Sequence, residues 1–475
     1  MSKLRLEEIR HEEIVEVVID DYGYTGEGYV ELEDGWLSVP GALPGERVRV
    51  AVEEGHEMSR RLFGQVTEVL EASEHRRDPL CGRDDVCRGC QLRHLTIPEE
   101  LRYKQRTIRE VVAKFADLSV DDQPDIEVVS PRPIRRDDAF RIRSSLTYAT
   151  DDEGFELGLV TPIRPELVPM SECPALTGAA RRLVSYVGEA IEGLAERPPA
   201  WRRPTEPGEA PEIGLGHIGV ASPTFGRGLV DVEVKGAASR EAFDALLDRD
   251  PMVEFLNTLL ETVPEDVGVS VHAGEMREQV KPPDRVRFPL HGLRLVAGFD
   301  DWIPATLKPT EVLYDRVFEL LELDAEDRYL DIGCGIGTLS LLAAPECEHV
   351  TGIDINRTSV ESAELNALHN DRDNTTFVPS GWEKALRQLA LDGQSFDVAT
   401  INPMREPLGE RPLAYLSQLG VDRLVYLGPS PASAAKDIGE LRDKGWRVDW
   451  LGAANIHPAT YHTMLVARLE RGSSA

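Results

Sequence analysis

The sequence predicts a multidomain protein: a small N-terminal β-barrel, an α+β central domain with a metal cluster, and a C-terminal domain with an open, Rossmann-like α/β sheet. Three observations lead to this prediction. Short strand patterns broken by glycine fill residues 1–72, closely spaced cysteines open residues 73–290, and strands alternate with helices over residues 291–475. We take these three ranges as the expected domains.

Length and composition fit several globular domains. At 475 residues the chain is longer than one hydrophobic core usually organises. No apolar run approaches the roughly 20 residues of a membrane span, and the start MSKLRLEEIRHEE has no signal-peptide core. Six cysteines are too few for a disulfide scaffold. We therefore expect a cytoplasmic monomer without membrane contact, in which clustered cysteines indicate metal.

The charge balance is strongly acidic. The chain has 53 basic against 84 acidic residues, a net charge of −31, and only 9 of the basic residues are lysines. A nucleic-acid partner would normally predict the opposite sign. An acidic, lysine-poor surface suits a cytoplasm of very high salt, because salt screens charge repulsion while hydrated carboxylates keep the protein dissolved. We interpret the charge as halophilic, with an acidic protein from an ordinary habitat as the alternative.

The N-terminal region alternates apolar and polar residues in short runs. IVEVVID, GYVELEDGWLSV and RVRVAVEEG predict strands, whereas GYTGEG and PGALPGE predict turns. Small barrels of this kind often bind oligonucleotides or sugars. A β-module that only packs on its neighbour would show the same pattern.

Cysteines cluster at the start of the central region. Cys81, Cys87 and Cys90 follow the spacing C-x5-C-x2-C, and thiols this close in a cytoplasmic protein usually bind metal. Tetrahedral zinc and a cubane iron–sulfur cluster both need a fourth ligand, for which Cys173 is the best candidate. Three unrelated buried thiols are the alternative. A helix predicted over residues 98–117 follows, and we expect it to pack on the C-terminal domain.

A glycine-rich turn joins a strand to a helix in the C-terminal region. Glycines let a ligand approach the backbone there, and an acidic residue closing the next strand can bind both ribose hydroxyls. The form D-x-G-x-G-x-G, followed by a strand ending in G-x-D, resembles the S-adenosylmethionine (SAM) loop of class I methyltransferases more than a dinucleotide site or a structural turn. The cofactor-binding candidates are Asp331, Gly333, Gly335, Gly337, Thr338 and Asp354.

Together and in this order, the two motifs resemble the RNA 5-methyluridine (uracil-C5) methyltransferase family, which acts on tRNA or 23S rRNA. VPGALPGERVRV resembles the family's TRAM barrel, an RNA-binding module, and CGRDDVCRGCQLRHL with a helix bearing Tyr103 and Lys104 resembles its iron–sulfur segment. LDIGCGIGTLSLLAA, LVYLGPSPASAAKD and HPATYHTM follow its catalytic domain. The resemblance implies a TRAM-like barrel, a 4Fe-4S cluster on the four cysteines with zinc as the alternative, SAM as cofactor, and a structured rRNA or tRNA as partner.

The residues that carry the family's chemistry are replaced. The family attacks C6 of uracil with the cysteine of V-Y-x-S-C-N-P, where this chain has Pro429. The family removes the C5 proton with the glutamate of F-P-x-T-x-H-V-E, where this chain has Met464. The glutamine of F-Q-x-N is Pro304, and the second adenosine-contacting acid falls near Gly381. The aspartate of D-P-P-R is Asn402, which we keep as a cofactor-binding candidate, and the catalytic residues stay unassigned.

Three functions fit these replacements. The first is a SAM-dependent RNA methyltransferase that modifies a nitrogen or oxygen without a covalent adduct, with Asn402 and His462 as possible site groups. The second is a catalytically inactive RNA-binding homologue. The third is a faithful 5-methyluridine enzyme, which the two replacements disfavour. Asn402-Pro403 also resembles the N-P-P-Y motif of amino-methyltransferases, although Arg405 stands where the aromatic residue belongs.

A local basic run contrasts with the acidic background. Together with the barrel it predicts RNA binding, because arginines neutralise phosphates. A solvated arginine face paired with Asp137 and Asp138 would give the same pattern. The members of the run are Arg132, Arg135, Arg136, Arg141 and Arg143.

Overall fold

The computed structural model describes residues 13–56, 60–79, 81, 87, 89–131, 140–150, 155–160, 167–201 and 213–472. Within these ranges, no helix is both long and apolar enough to cross a membrane. The strands form four sheets of six, seven, two and eight strands. The three larger sheets follow the three regions of the chain, but some elements cross between them.

The N-terminal sheet is built from short strands with alternating burial. Its strands are β1 (Ile14–Val18), β2 (Asp21–Tyr22), β3 (Gly28–Glu31), β4 (Trp36–Val39), β5 (Arg47–His56) and β6 (Arg61–Glu71). In β5, Val48 and Val50 are buried while Arg47 and Arg49 reach solvent. The order is β1-β5-β6-β4-β3-β2. Since β1 and β2 do not pair within the described residues, this half-barrel agrees only in part with the predicted barrel.

Helix α1 (Ile97–Phe115) follows the cysteine region and packs against the C-terminal sheet. Ile108 and Val111 lie on one face of α1 and are buried in the same core as strands of that sheet. Strand β7 (Ile126–Val129) pairs in parallel with a strand near the end of the chain. Strand β7 is therefore an edge strand of the C-terminal sheet, although the sequence assigns residues 73–290 to the central domain.

The central sheet and three helices share one core. The strands are β8 (Arg143–Thr150), β9 (Phe155–Val160), β10 (Leu167–Pro169), β11 (Gly214–Thr224), β12 (Arg227–Lys235), β13 (Val267–Ala273) and β14 (Met276–Lys281), and the helices are α2 (Gly178–Glu192), α3 (Arg240–Leu247) and α4 (Asp250–Thr262). The order is β10-β9-β8-β11-β12-β13-β14, with only β12 and β13 parallel. Val230 and Val232, two residues apart on β12, are fully buried in this core.

A two-stranded hairpin connects the central and C-terminal domains. Strands β15 (Arg285–Leu290) and β16 (Leu293–Gly298) are followed by helix α5 (Leu307–Leu321). Phe288 and Leu295 of the hairpin are buried in the core of the C-terminal sheet. The C-terminal domain therefore begins with the hairpin, a few residues before the expected boundary.

The C-terminal sheet is of the doubly wound α/β type. Its strands are β17 (Arg328–Ile332), β18 (His349–Asp354), β19 (Thr375–Pro379), β20 (Val398–Ile401), β21 (Arg423–Gly428), β22 (Trp446–Ala454) and β23 (Met464–Arg471), and its helices are α6 (Thr338–Ala343), α7 (Arg357–His369), α8 (Trp382–Leu391), α9 (Glu410–Gln418) and α10 (Pro431–Asp443). The order is β19-β18-β17-β20-β21-β23-β22-β7, and β17 to β21 are parallel. Ligands of such sheets bind at the carboxyl ends of the strands where the order reverses, here between β17 and β20. The predicted Rossmann-like domain is confirmed.

Candidate active site

The loop between β17 and α6 lies at this crevice, and its backbone requires glycine. Gly333, Gly335 and Gly337 have φ angles of +83°, +51° and +84°, in the left-handed region that glycine adopts without steric cost. A Cβ atom on Gly333 would collide with the carbonyl oxygen of Asn402 after β20. Gly333 therefore lets the loop pack closely on the residue after β20, whereas Gly335, with nothing within 4 Å of a Cβ, leaves its backbone open to a ligand.

Asp331, on β17, is fully buried beneath this loop. Its Oδ2 accepts a hydrogen bond from Ser340 Oγ at 2.6 Å, and its Oδ1 accepts one from Thr400 Oγ1 at 2.8 Å. Burial raises the pKa of the Asp331 carboxyl to about 6, although these two bonds oppose the shift. Through these bonds Asp331 joins β17 to α6 and β20. A direct contact between Asp331 and SAM stays a prediction.

Asp354, the last residue of β18, is half-buried beside the loop. Its Oδ2 accepts a hydrogen bond from the Gly335 N–H at 2.9 Å, and its Oδ1 accepts one from the Asn356 N–H at 2.8 Å. The adjacent Ile355 is 69% exposed, and a Cβ on Gly381 would lie 3.8 Å from its Cδ1. A fixed carboxylate beside an exposed apolar side chain is the combination that the ribose and ring of an adenosine require.

The remaining cofactor candidates differ in exposure. Thr338, the first residue of α6, is buried. Asn402 is half-buried directly after β20, and its backbone N–H donates to the carbonyl of Ile332 at 2.8 Å. Pro304 is buried and carries no polar side-chain atom. The glycine loop, Asp354 and Asn402 therefore lie together at the crevice, whereas Pro304 offers no side-chain hydrogen bond.

The two family positions that carry the chemistry hold no reactive group. Pro429 is half-buried after β21, and Met464 begins β23 and packs in the core. Burial raises the pKa of the Cys334 thiol well above its usual range and that of Cys347 to about 11. These two buried thiols stay protonated at neutral pH, so neither is suited to act as a nucleophile.

Two histidines lie in the loop between β22 and β23, residues 455–463, which we call the histidine loop. Burial, together with the charges of nearby side chains such as Arg141 and Lys104, lowers the pKa of His457 to about 3. Burial also lowers the pKa of His462, again assisted by neighbouring cations. Both imidazoles are therefore neutral at pH 7, and their ring centroids are 6.0 Å apart.

Arginines from the central and C-terminal domains lower the pKa values of these histidines through their positive charges. Arg143 begins β8, Arg141 lies two residues before it, and Arg405 follows β20. Burial lowers the pKa of Arg143, whose Nη1 donates to the carbonyl oxygen of Ile303 at 3.1 Å although the residue still reaches solvent. The group that we call the cationic cleft comprises Arg141, Arg143, Arg405, His457 and His462. Outside the described residues lie the other members of the predicted basic run, Arg132, Arg135 and Arg136.

A buried lysine ties the histidine loop to helix α1. Lys104 has no exposed surface, and its Nζ donates to Glu100 Oε1 at 2.9 Å, Asn455 Oδ1 at 2.5 Å and the His457 carbonyl at 3.0 Å. Glu100 Oε1 also accepts the Ala459 N–H at 2.8 Å. Burial lowers the pKa of Lys104, and the charge of Glu100 opposes this shift. No local sequence signal indicates this role, because Asn455 is 351 residues away in the chain.

The four predicted metal ligands line one cavity. Cys81, Cys87, Cys90 and Cys173 are free thiols around a volume of 260 Å³. Arg93 lies against them, with its Nη1 2.6 Å from Cys81 Sγ. The structure thus brings Cys173 to the other three. Among the residues described, however, no group of three or more His, Cys, Asp or Glu is arranged to hold a metal ion, so a cluster is not shown.

The cysteine cavity and the cationic cleft are neighbours. Ala459 of the histidine loop lines the cavity and accepts a hydrogen bond from the Leu92 N–H at 2.9 Å. Arg141 belongs to the cleft and also lines the cavity. The cysteine segment therefore contacts the loop that carries both histidines.

Comparisons with known proteins find relatives over nearly the whole chain. A sequence profile described as a methyltransferase domain matches residues 323–424. An uncharacterised RNA methyltransferase of Caldanaerobacter subterraneus subsp. tengcongensis is 27% identical over 96% of this chain and 98% of its own length. The 23S rRNA (uracil(1939)-C(5))-methyltransferase RlmD of Vibrio parahaemolyticus is 25% identical over 96% of this chain and 95% of its own length.

A solved structure shows the same fold. The tRNA (uracil-54, C5)-methyltransferase of Pyrococcus abyssi, in complex with S-adenosyl-L-homocysteine, superposes with a TM-score of 0.69 at 21% identity, covering 96% of this chain and 100% of that chain. Sequence relatives and fold neighbour thus agree over all three regions. Over 96% of its length the chain is therefore similar to RNA uracil-C5 methyltransferases.

Proposed function

We propose that this chain is a SAM-dependent methyltransferase that modifies a structured RNA, an rRNA or a tRNA, without forming a covalent cysteine adduct. The observation that carries the RNA substrate is the cationic cleft, which lies beside the catalytic sheet of a protein with a net charge of −31. Arginines in such a cleft match RNA phosphates. The N-terminal half-barrel would serve as a TRAM-like RNA-binding module. The named relatives act on 23S rRNA and on tRNA.

The cofactor half of the site supports SAM. Gly335 of the glycine loop is open to a ligand, Asp354 would bind the ribose hydroxyls, and the exposed Ile355 would contact the adenine ring. Bound SAM supplies a methyl group on a sulfonium. Pro304 and Gly381 each lack a side-chain hydrogen bond, a loss of about 0.5–1.5 kcal/mol apiece. We therefore expect affinity roughly 5- to 150-fold weaker than in a relative that keeps both contacts.

Methyl transfer without an adduct requires a nucleophilic nitrogen or oxygen on the RNA. That atom attacks the methyl carbon, the carbon–sulfur bond breaks to leave S-adenosylhomocysteine, and the nucleophile loses its proton to a base. His462 can accept this proton, because its lowered pKa keeps the imidazole neutral at pH 7. The side-chain amide of Asn402 can orient an exocyclic amine.

An assay with methyl-labelled SAM and bulk rRNA and tRNA, followed by nucleoside analysis, tests this proposal. The assay should run at low and at molar KCl, because the acidic composition predicts a halophilic source. We expect label in a nucleoside other than 5-methyluridine. Formation of 5-methyluridine by the wild-type protein would contradict the proposal.

A catalytically inactive RNA-binding homologue is the second candidate. Pro429 and Met464 favour it, because they remove the family's nucleophile and base while the cationic cleft remains. RNA binding without any transfer of label, at either salt concentration, would identify this function.

Restoring the nucleophile alone should not restore the family's reaction. Pro429→Cys supplies a thiol, but Met464 cannot take the C5 proton, so the reaction would stop at a covalent protein–RNA adduct. We expect a SAM-dependent, denaturant-resistant complex on gels and no 5-methyluridine, with Pro429→Ser as the control that forms no complex. If Pro429→Cys produces 5-methyluridine, another residue acts as the base.

We also propose that the four cysteines hold a 4Fe-4S cluster, with zinc as the alternative. The donor set fits, because four free thiols line one cavity and Arg93 Nη1 lies 2.6 Å from Cys81 Sγ. Such a cluster would fix the segment that contacts the histidine loop. Iron, sulfide and zinc analysis of protein purified without oxygen tests this assignment. Cys173→Ser should lose the metal, and wild-type protein that contains neither iron nor zinc would contradict it.

A further inference from the structure

A second group of arginines surrounds a cavity of 360 Å³ between the central and C-terminal domains. Arg227 begins β12, Arg287 lies on β15, Arg294 lies on β16, and His369 ends α7. We call this site the arginine cavity. None of its residues belongs to the cationic cleft or to the glycine loop.

The arginine cavity is positive in a strongly acidic protein. Asp and Glu make up 84 of the 475 residues, yet none of those in the described ranges lines this cavity. Arg287 is exposed, and its side chain makes no hydrogen bond or ion pair within the described residues. Arg294 donates to the carbonyl oxygen of His369. Arg227 contacts Asp266 at 3.4 Å, but the two side chains are 54% and 66% exposed, so this pair is weak.

Two residues with exposed apolar side chains are neighbours, in the sequence, of residues that line the cavity. Phe225, in the turn between β11 and β12, is 74% exposed, and Leu368, beside His369, is 75% exposed. Guanidinium groups form paired hydrogen bonds with phosphate oxygens, and an exposed aromatic ring can stack on an unpaired base. Free positive charge, with an exposed aromatic residue next in sequence to the cavity lining, therefore fits a nucleic-acid strand.

We propose that the arginine cavity binds the phosphodiester backbone of the RNA substrate, at a site separate from the methyl-transfer centre. This inference rests on the proposed function. Helix α7 begins just after Asp354 and runs for 13 residues to His369, about 20 Å at ~1.5 Å per residue. That span equals about six base pairs at ~3.4 Å per step. One folded RNA can therefore reach both the cavity and the catalytic site.

The test compares two double variants of the full-length protein that change net charge equally. Arg287→Gln/Arg294→Gln removes two charges from the cavity. Arg240→Gln/Arg447→Gln is the control, because these arginines are 55% and 71% exposed and pair with acids elsewhere. Binding of labelled tRNA and of rRNA fragments is measured by fluorescence anisotropy from low to molar KCl, and SAM binding is measured by calorimetry.

We expect the cavity variant to bind RNA about tenfold more weakly at low salt. The slope of log K against log salt should become less negative by about 1.4–1.8, because each phosphate contact contributes about 0.7–0.9. SAM affinity should not change, and the control variant should match the wild type. Phe225→Ala should weaken binding of RNA with an unpaired loop but not of a plain duplex.

Wild-type affinity and slope in the cavity variant would overturn the inference and leave the proposed function intact, because the wild-type protein still binds RNA. An equal loss in the control variant would also overturn it, since only net charge would matter. Polyglutamate is the competitor: if it displaces RNA as well as unlabelled RNA of equal charge does, the cavity recognises acidic chains in general, and the inference is wrong. If the wild-type protein binds no RNA, this inference and the proposed function both fail.

Discussion

The site has a cofactor half, formed by the glycine loop and Asp354, and a reactive half, formed by the histidine loop. The two halves are held in place by different parts of the chain. Asp354 holds Gly335 of the glycine loop, and Asp331 joins β17 to α6 and β20, through hydrogen bonds made entirely within the C-terminal domain. Lys104 and Glu100 fix the histidine loop from helix α1, outside the Rossmann-like domain. Because different parts of the chain hold the two halves, SAM binding and RNA chemistry can be lost separately. Substitutions in α1 should affect RNA chemistry, and substitutions around the glycine loop should affect SAM binding.

The largest expected effect comes from Lys104→Met. It leaves Glu100 as an uncompensated buried charge and removes two contacts to the histidine loop, at a cost of about 3–5 kcal/mol in unfolding free energy. RNA binding at the cationic cleft should fall, while SAM affinity should persist wherever the variant is folded. Chemical denaturation with parallel SAM and RNA titrations measures these effects. Glu100→Gln/Lys104→Met is the control, and it should recover part of the lost stability because it leaves no buried charge.

Asp331 gives the cofactor half its own pH dependence. Burial raises its pKa from 3.8 to about 6 in the folded protein. Because the folded state then binds this proton more tightly than the unfolded state, the unfolding free energy falls as pH rises from about 4 to about 6. The loss, about 3 kcal/mol, persists at higher pH. Denaturation of wild type and Asp331→Asn at stepped pH measures the difference, and a flat difference curve would contradict the assignment.

Gly333→Ala tests the close approach of the glycine loop to β20. The added Cβ would meet the carbonyl oxygen of Asn402 at a φ of +83°, so we expect a cost of about 2–3 kcal/mol and loss of SAM binding. Gly335→Ala is the matched control, since its φ is +51° and nothing lies within 4 Å. Its cost should be about 1 kcal/mol. Equal costs in thermal unfolding would show that the contact with Asn402 is unimportant.

The smallest expected effect is that of Asp354→Ala on SAM affinity. Losing the ribose contact should weaken binding about tenfold, or about 1.4 kcal/mol, and leave RNA affinity unchanged. Asp354→Asn, which keeps one acceptor for the Gly335 N–H, should lose less. Calorimetric titration with SAM provides the measurement. Wild-type SAM affinity in Asp354→Ala would mean that the ribose acid is another residue.

The glycine loop is predictable from sequence because its signals are local. A strand, a turn of glycines and a helix follow one another, and the spacing of Gly333, Gly335 and Gly337 indicates the turn directly. The solvent exposure of a side chain, in contrast, is not indicated by its neighbours in the sequence. Asp331 has the residue type and spacing of a ligand, but Ser340 and Thr400 occupy both of its oxygens, and only the packed sheet reveals that arrangement.

The reactive half is less predictable, because its contacts span most of the chain. Lys104 donates a hydrogen bond to the side chain of Asn455. The amide nitrogen of that side chain donates in turn to Ser130, which is 325 residues away from Asn455. No periodicity in either segment indicates these pairs. The arginines at the start of β8 could be predicted as an RNA-binding run, but their position beside His457 depends on how the central domain docks.

The insertion of β7 into the C-terminal sheet also determines when the protein can fold during synthesis. Ser130, just after β7, leaves the ribosome 325 residues before its partner Asn455. At about 5–20 residues per second, that delay lasts roughly 15–65 s. Throughout this interval the apolar face of α1 with Ile108 and Val111 lacks its final cover, so the nascent chain presents a surface that chaperones recognise. A chain that terminates before β22 would keep this surface exposed, and only completed chains would hide it.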